Sequence, residues 1–170
     1  MNSKENLVFL GMMGSGKSSI GFLVSKNLKI NFIDVDNEIE KKTGLKISKI
    51  FEKKGEKYFR EIEENETLKL LKNRNTVISL GGGAFLNSKI KKEVLSNHIS
   101  FWLKWDTKTL VNRIWTSKKR PIAFRASKHE LIDLIKKRSI VYSKAMYKID
   151  CESLTKEEIV KNVTKIYEAH

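Results

Sequence analysis

Five short apolar runs, at residues 6–10, 31–34, 76–80, 99–105 and 147–151, punctuate a chain that elsewhere mixes lysine and glutamate with spaced aliphatic residues. The first run contains Leu7-Val8-Phe9-Leu10 without polar alternation, as expected of a strand covered on both faces. Between the runs, apolar positions recur at helical spacing. Ile20, Leu23, Val24 and Leu28 predict a helix over 18–28, with those four on its buried face. Residues 37–72 predict helix in several pieces, broken at Gly44 and Gly55. Helices are also expected over 88–95 and 131–142, and Asp106 stands where it can cap one running through Trp115. The last helix, 155–167, opens with the capping-box pattern Thr155-x-x-Glu158 and carries the stripe Ile159, Val160, Val163, Ile166 and Tyr167. Strands alternating with helices predict an α/β fold: a three-layer sandwich with a central five-stranded parallel sheet and helices on both faces. Residues 1–170 are expected to form a single domain, with no repeat or linker. The stretch over about 116–128 has weak periodicity around a charged turn, Lys118-Lys119-Arg120-Pro121, and is expected to be a mobile lid.

Composition refines this picture. Hydrophobic residues at 40% and charged residues at 32% suit a soluble globular protein. No run of eighteen apolar residues occurs, so no membrane span and no membrane partner are expected. The start, MNSKENLVFL, lacks the features of a signal peptide. A single cysteine, Cys151, has no second thiol to pair with, which fits a reducing cytoplasm. The net charge of +14 raises the question of a nucleic-acid partner. The lysines, however, are interspersed with glutamates, as in Glu40-Lys41-Lys42, and never form blocks of five or six. A solvated lysine surface and a monomer without nucleic acid are the expectation. Six arginines, Arg60, Arg74, Arg113, Arg120, Arg125 and Arg138, stand among 34 basic residues. Where lysine is the routine cation, arginine marks places needing a planar fork for carboxylate or phosphate.

Chemistry enters with Gly11-x-x-x-x-Gly16-Lys17-Ser18, which follows the first strand and opens the first helix. That is the context of a phosphate-binding loop: glycines admit phosphate oxygens close to the backbone, and the helix N-terminus favours the anion. Gly14, Ser15, Gly16, Lys17, Ser18 and Ser19 are the candidate nucleotide-binding residues. Lys17 would reach the β and γ phosphates of ATP, and the Ser18 hydroxyl would hold Mg²⁺. The second strand ends Asp34-Val35-Asp36. On an extended segment these two carboxylates would project to one side, at the strand end where ligands bind in parallel sheets. One would steady Mg²⁺ and the other bind or deprotonate an acceptor hydroxyl, although Asp36 could equally cap the helix that follows. Gly81-Gly82-Gly83, after the third strand, is more glycine than a turn requires. It implies a close approach to the backbone or a second nest of N–H groups.

Phosphate loop, Asp34-x-Asp36, Phe59-Arg60, the glycine triplet, Arg120-Pro121 and Arg138-x-x-x-Tyr142, in this order, resemble the shikimate kinase family over about residues 7–150. The resemblance implies the phosphate-loop NTPase fold and transfer of a phosphoryl group from ATP to the 3-hydroxyl of shikimate. It places Asp34 with Ser18 near Mg²⁺, and Asp36 on the shikimate hydroxyls as the candidate base. Arg60 and Arg138 would clamp the carboxylate, with Gly81, Gly82 and Gly83 at the ring and an acceptor-binding helical segment over about 36–72. Arg113 would stack on adenine, and Arg120 on the lid would close over the phosphates, so that Lys17, Asp36 and Arg120 form the catalytic set. Leu80, the lid residues Ile122 and Ala123, and the absence of an acidic residue around Tyr142–Ala145 depart from the family's usual pattern without removing a ligand. His98, His129 and His170 match no catalytic role and are expected at the surface. Two alternatives remain at this point: a kinase of the same architecture acting on gluconate or a nucleoside monophosphate, and a nucleotide-gated or nucleic-acid-binding module.

Overall fold

The computed structural model describes residues 5–117 and 126–170. Its elements alternate: β1 (Leu7–Leu10), α1 (Lys17–Leu28), β2 (Asn31–Asp34), α2 (Val35–Thr43), α3 (Ile47–Leu71), β3 (Thr76–Ser79), a 3₁₀ turn (Ala84–Leu86), α4 (Ser88–Asn97), β4 (Ile99–Lys104), α5 (Thr107–Thr116), α6 (Lys128–Tyr142), β5 (Tyr147–Asp150) and α7 (Lys156–Ala169). The strands form one sheet in the order β2-β3-β1-β4-β5. Every pairing is parallel. Leu7 of β1 stands opposite Val77 on one side and Ile99 on the other, so β1 is the central strand.

Alternation along β1 divides the core. Leu7 and Phe9 join Val77, Phe101 and Leu103 in the layer under α1 and α7. Val8 and Leu10 face the opposite layer, with Ile78, Leu80 and Trp102 against apolar residues of α2 through α6. All four β1 side chains are fully buried, each contributing about 1.5–3 kcal/mol relative to exposure. The edge strand β5 is blunted by charge: Lys104 and Lys148 both pair with Asp150, at 2.9 and 3.1 Å. At the opposite end of the sheet Asn6, read as a strand residue, precedes β1 and acts as a buried tie. Its Nδ2 donates to the carbonyls of Leu71 and Asn73, and its Oδ1 accepts the Thr76 N–H.

The helices follow the expected pattern with two physical corrections. The breaks at Gly44 and Gly55 are present, both at positive φ, and the Thr155–Glu158 capping box is formed. On α1, however, the buried face is Ile20, Gly21, Val24 and Ser25, while Leu23 is exposed. The helix lies so close to β2 that a Cβ on Gly21 would sit 2.8 Å from the Phe32 ring, leaving room for small residues on that face. Asp106 occupies the N-cap position of α5 without a side-chain cap bond. Glu152 serves that helix end instead, accepting the Asp106 N–H at 3.1 Å and the Thr109 hydroxyl at 2.6 Å. The lid expected over about 116–128 lies for the most part outside the described residues, between the end of α5 and the start of α6. Among the described residues no helix is long and apolar enough to cross a membrane.

His98, expected at the surface, is 2% exposed, whereas His129 and His170 are exposed. It stands between α4 and β4, facing Glu93 (Nε2 to Oε1 3.5 Å), Arg74 and Glu5. Burial holds the imidazole pKa below its ordinary value, opposed by Glu93 and Glu5 and assisted by Arg74. The neutral ring therefore suits the folded state, and the unfolded chain takes up the proton first as pH falls. Its stabilising effect is complete above the unfolded pKa of about 6.5 and is lost progressively below it. In urea unfolding between about pH 7.5 and 5.5, the His98→Gln variant is expected to lose stability less steeply than the parent, by up to about 1.4 kcal/mol per pH unit. Parallel slopes would show that His98 titrates alike in both states.

Candidate active site

The loop between β1 and α1 follows a path that only glycine takes easily: φ is +139° at Gly11, +80° at Gly14 and +89° at Gly16. Gly16 occupies the N-cap of α1 without a side-chain cap, so the helix end presents backbone N–H groups and the positive end of its dipole, a combination suited to an anion. Lys17 is buried beneath the loop, and its ammonium donates to the carbonyls of Gly11 and Met12, both at 2.9 Å. Ser18 and Ser19 are exposed in the first turn of α1. On the far side of the loop, the Trp105 indole N–H donates to the Ser15 carbonyl at 2.9 Å. Arg113 donates to the Gly14 carbonyl at 3.4 Å, with its guanidinium 3.7 Å from the Trp105 ring centroid.

The Ser18 hydroxyl hydrogen-bonds the Asp34 carboxylate. Asp34 also accepts the Asn37 N–H at 3.1 Å and so is the N-cap of α2. This corrects the strand geometry expected for Asp34-x-Asp36. The chain turns into α2 at Val35, so Asp36 belongs to the first helical turn, and Asp34 rather than Asp36 does the capping. A carboxylate at the residue just before the first helical turn can accept the N–H of the third helical residue, which one already inside that turn cannot. The two side chains still line the same cleft, but a helix rather than an extended strand brings Asp36 there.

The glycine triplet explains itself by what surrounds it. A Cβ on Gly81 would lie 2.7 Å from Glu63 Oε1 and 2.8 Å from Asp36 Oδ1, one on Gly82 would lie 3.2 Å from the Met13 nitrogen, and one on Gly83 would lie 2.7 Å from Arg60 Nη2. The triplet thus packs against Asp36, Glu63, Arg60 and the phosphate loop at once. Its Gly82 carbonyl accepts Arg138 Nη1 at 3.4 Å and the Tyr142 hydroxyl. Arg138 is 6% exposed and Tyr142 1%. Burial pushes the Tyr142 phenol up to about 12, so it stays a donor.

Glu63, not singled out in the sequence, is 3% exposed and pairs with Arg60 at 2.6 Å. Arg60 also contacts Glu56 at 3.3 Å. Burial pushes the Glu63 carboxyl above the usual carboxylate range, against the pull of Arg60 and Arg138. The available signals were Arg60-x-x-Glu63, an i,i+3 pair, and the position of Glu63 on the buried stripe Phe59, Glu63, Glu66, Thr67. Trp105 was likewise missed as a site residue.

One cleft of about 760 Å³ receives these groups. Met13, Ser18 and Asp34 line it from the phosphate loop side. Asp36, Arg60, Glu63, Gly82, Gly83 and Arg138 line it from the other, over a base of Phe51 and Phe59. Lys17 and Arg113 are not among the residues that line it, and Arg120 falls outside the described residues. The arrangement can hold an oxygen-rich anion beside a polyphosphate tail.

The shikimate kinase family model matches residues 13–168. A shikimate kinase of Thermodesulfovibrio yellowstonii is 39% identical over 165 residues, covering 96% of this chain and 95% of the relative. The structure of shikimate kinase from Acinetobacter baumannii in complex with shikimate superposes with a TM-score of 0.91 at 28% identity, covering 98% of this chain and 94% of that one. The Aquifex aeolicus shikimate kinase structure gives 0.82 at 35% identity, with 96% of each chain covered. A match that runs through the phosphate loop, the glycine triplet and α6 alike leaves one conclusion: the chain belongs to the shikimate kinase family.

Proposed function

We propose that this chain uses ATP to phosphorylate the 3-hydroxyl of shikimate, yielding shikimate 3-phosphate for chorismate and aromatic amino-acid biosynthesis. The observation that carries the proposal is the packing of Gly82 on Met13, which puts the phosphate loop and the Arg60–Glu63–Arg138 pocket at opposite walls of one cleft. Phosphoryl transfer asks chiefly for alignment and charge neutralisation, and the cleft is built for both.

Arg60 and Arg138 would grip the shikimate carboxylate, and Asp36 would take hydrogen bonds from the ring hydroxyls and accept the proton of the attacking one. Glu63 would hold the Arg60 fork in register. Gly81, Gly82 and Gly83 would let the ring lie against backbone. Gly14, Ser15, Gly16, Ser18 and Ser19 would wrap the phosphates, Lys17 would neutralise their charge, and Arg113 would stack on adenine. The Ser18 hydroxyl and Asp34 carboxylate, already in contact, are hard oxygen donors of the kind Mg²⁺ takes when phosphates and waters complete its shell. Bound there, Mg²⁺ would neutralise charge on the β and γ phosphates. Among the described residues no cluster of three His, Cys, Asp or Glu side chains competes as a metal site. Arg120 would stabilise the transferring group from the lid. The enzyme would act as a cytoplasmic monomer without nucleic acid or membrane.

A coupled ADP-release assay with shikimate, gluconate and nucleoside monophosphates tests the acceptor. Turnover confined to shikimate is expected, and equal or greater turnover with either of the others would overturn the assignment. Replacing Arg60 or Arg138 by alanine is expected to raise the shikimate KM about 10- to 100-fold through loss of a charge-assisted hydrogen bond. Asp36→Asn should instead lower kcat about 10²–10⁴-fold, and Arg120→Ala about 10³–10⁵-fold. Gly83→Ala separates fold from site. Its methyl group would displace the flexible end of Arg60, so thermal unfolding should barely move while shikimate affinity, measured by titration calorimetry, falls several-fold.

A further inference from the structure

Trp105 lies between the end of β4 and the start of α5, and none of the roles above uses it. Its indole is partly buried and makes two contacts of different kinds. The ring N–H donates to the Ser15 carbonyl inside the phosphate loop at 2.9 Å. The ring face carries the Arg113 guanidinium, whose central carbon is 3.7 Å from the ring centroid. Arg113 itself reaches the Gly14 carbonyl at 3.4 Å. The helix bearing Arg113 is pinned at its start, because the Asp106 N–H and the Thr109 hydroxyl both end on Glu152.

An arginine near a helix C-terminus ordinarily samples many rotamers, and each one lost on ligand binding weakens affinity. Here the indole attracts the cation and fixes its plane, while the hydrogen bond to Ser15 fixes the indole. A guanidinium with one face on an indole has a second, parallel face for another flat π system. We propose that Trp105 is a positioning residue of the nucleotide site, holding Arg113 as a preorganised platform for the purine ring of ATP. The proposal rests on the assignment of Arg113 to adenine made above. Because the contact is with a ring face and not a hydrogen-bonding edge, it supports adenine and guanine nucleotides alike.

Steady-state kinetics of Trp105→Leu, Trp105→Phe, Arg113→Ala and the Trp105→Leu/Arg113→Ala double variant test this, with inorganic tripolyphosphate as a competitor that lacks a base. Trp105→Leu is expected to raise the KM for ATP and for GTP about tenfold, the scale of a cation–π contact plus the ordering it saves. The shikimate KM and the tripolyphosphate inhibition constant should stay within about twofold, Trp105→Phe should keep most of the ATP affinity, and Trp105→Leu should add little in the Arg113→Ala background. Equal weakening of ATP and tripolyphosphate would mean that the indole merely props up the loop, and an equal loss in both backgrounds would mean that it does not act through Arg113. Either result overturns the proposal. A costly Arg113→Ala beside a neutral Trp105→Leu removes this inference alone, whereas a neutral Arg113→Ala removes the adenine assignment beneath it.

Discussion

A buried ammonium group must be hydrogen-bonded, and Lys17 meets that requirement with the carbonyls of Gly11 and Met12. The constraint reaches far. The loop that carries those two carbonyls passes through positive φ at Gly11, Gly14 and Gly16. That path delivers α1 with its N-terminus uncapped by any side chain at the mouth of the cleft. Because β1 is the central strand, its neighbours then determine what else arrives there. The strand on one side, β3, brings the glycine triplet, and the strand on the other, β4, brings Trp105.

Much of this was legible because it is local. The phosphate loop is a contiguous pattern whose strand and helix flank it, and the five strands announce themselves as apolar runs. Breaks at Gly44 and Gly55 follow from residue chemistry alone. What failed was decided by one residue or by distant packing. Asp34 and Asp36 appeared to share a strand, and only the turn into α2 at Val35 separates them. Leu23 fits a helical stripe, yet the closeness of α1 to Phe32 favours Gly21 and Ser25 inside. Glu63 is one glutamate in the acidic run Glu61–Glu66, and burial beside Arg60 distinguishes it, which no run of letters displays. His98 was placed outside because nothing in its neighbours foretold that the α4–β4 junction is covered.

The two halves of the site are held together by backbone as much as by side chains. Gly82 touches Met13 of the phosphate loop, and its carbonyl takes both Arg138 and Tyr142 from α6. A single peptide thereby joins β3, the loop after β1 and α6.

The cleft also stands apart from the molecule that encloses it. The chain as a whole carries +14, but the described residues lining the cleft include Asp34, Asp36, Glu40 and Glu63 against Lys46, Arg60 and Arg138. Among the described residues, carboxylates and cations in that lining are nearly balanced, within a strongly cationic molecule. Under the proposed reaction, the acceptor end of the cleft would suit a hydroxylated monoanion, whose charge and hydroxyls it would both match. An acceptor bearing a dianionic phosphate would meet carboxylates where it needs cations. Long-range attraction can gather anions of many kinds at the surface, and the acceptor end would then favour the weakly charged one.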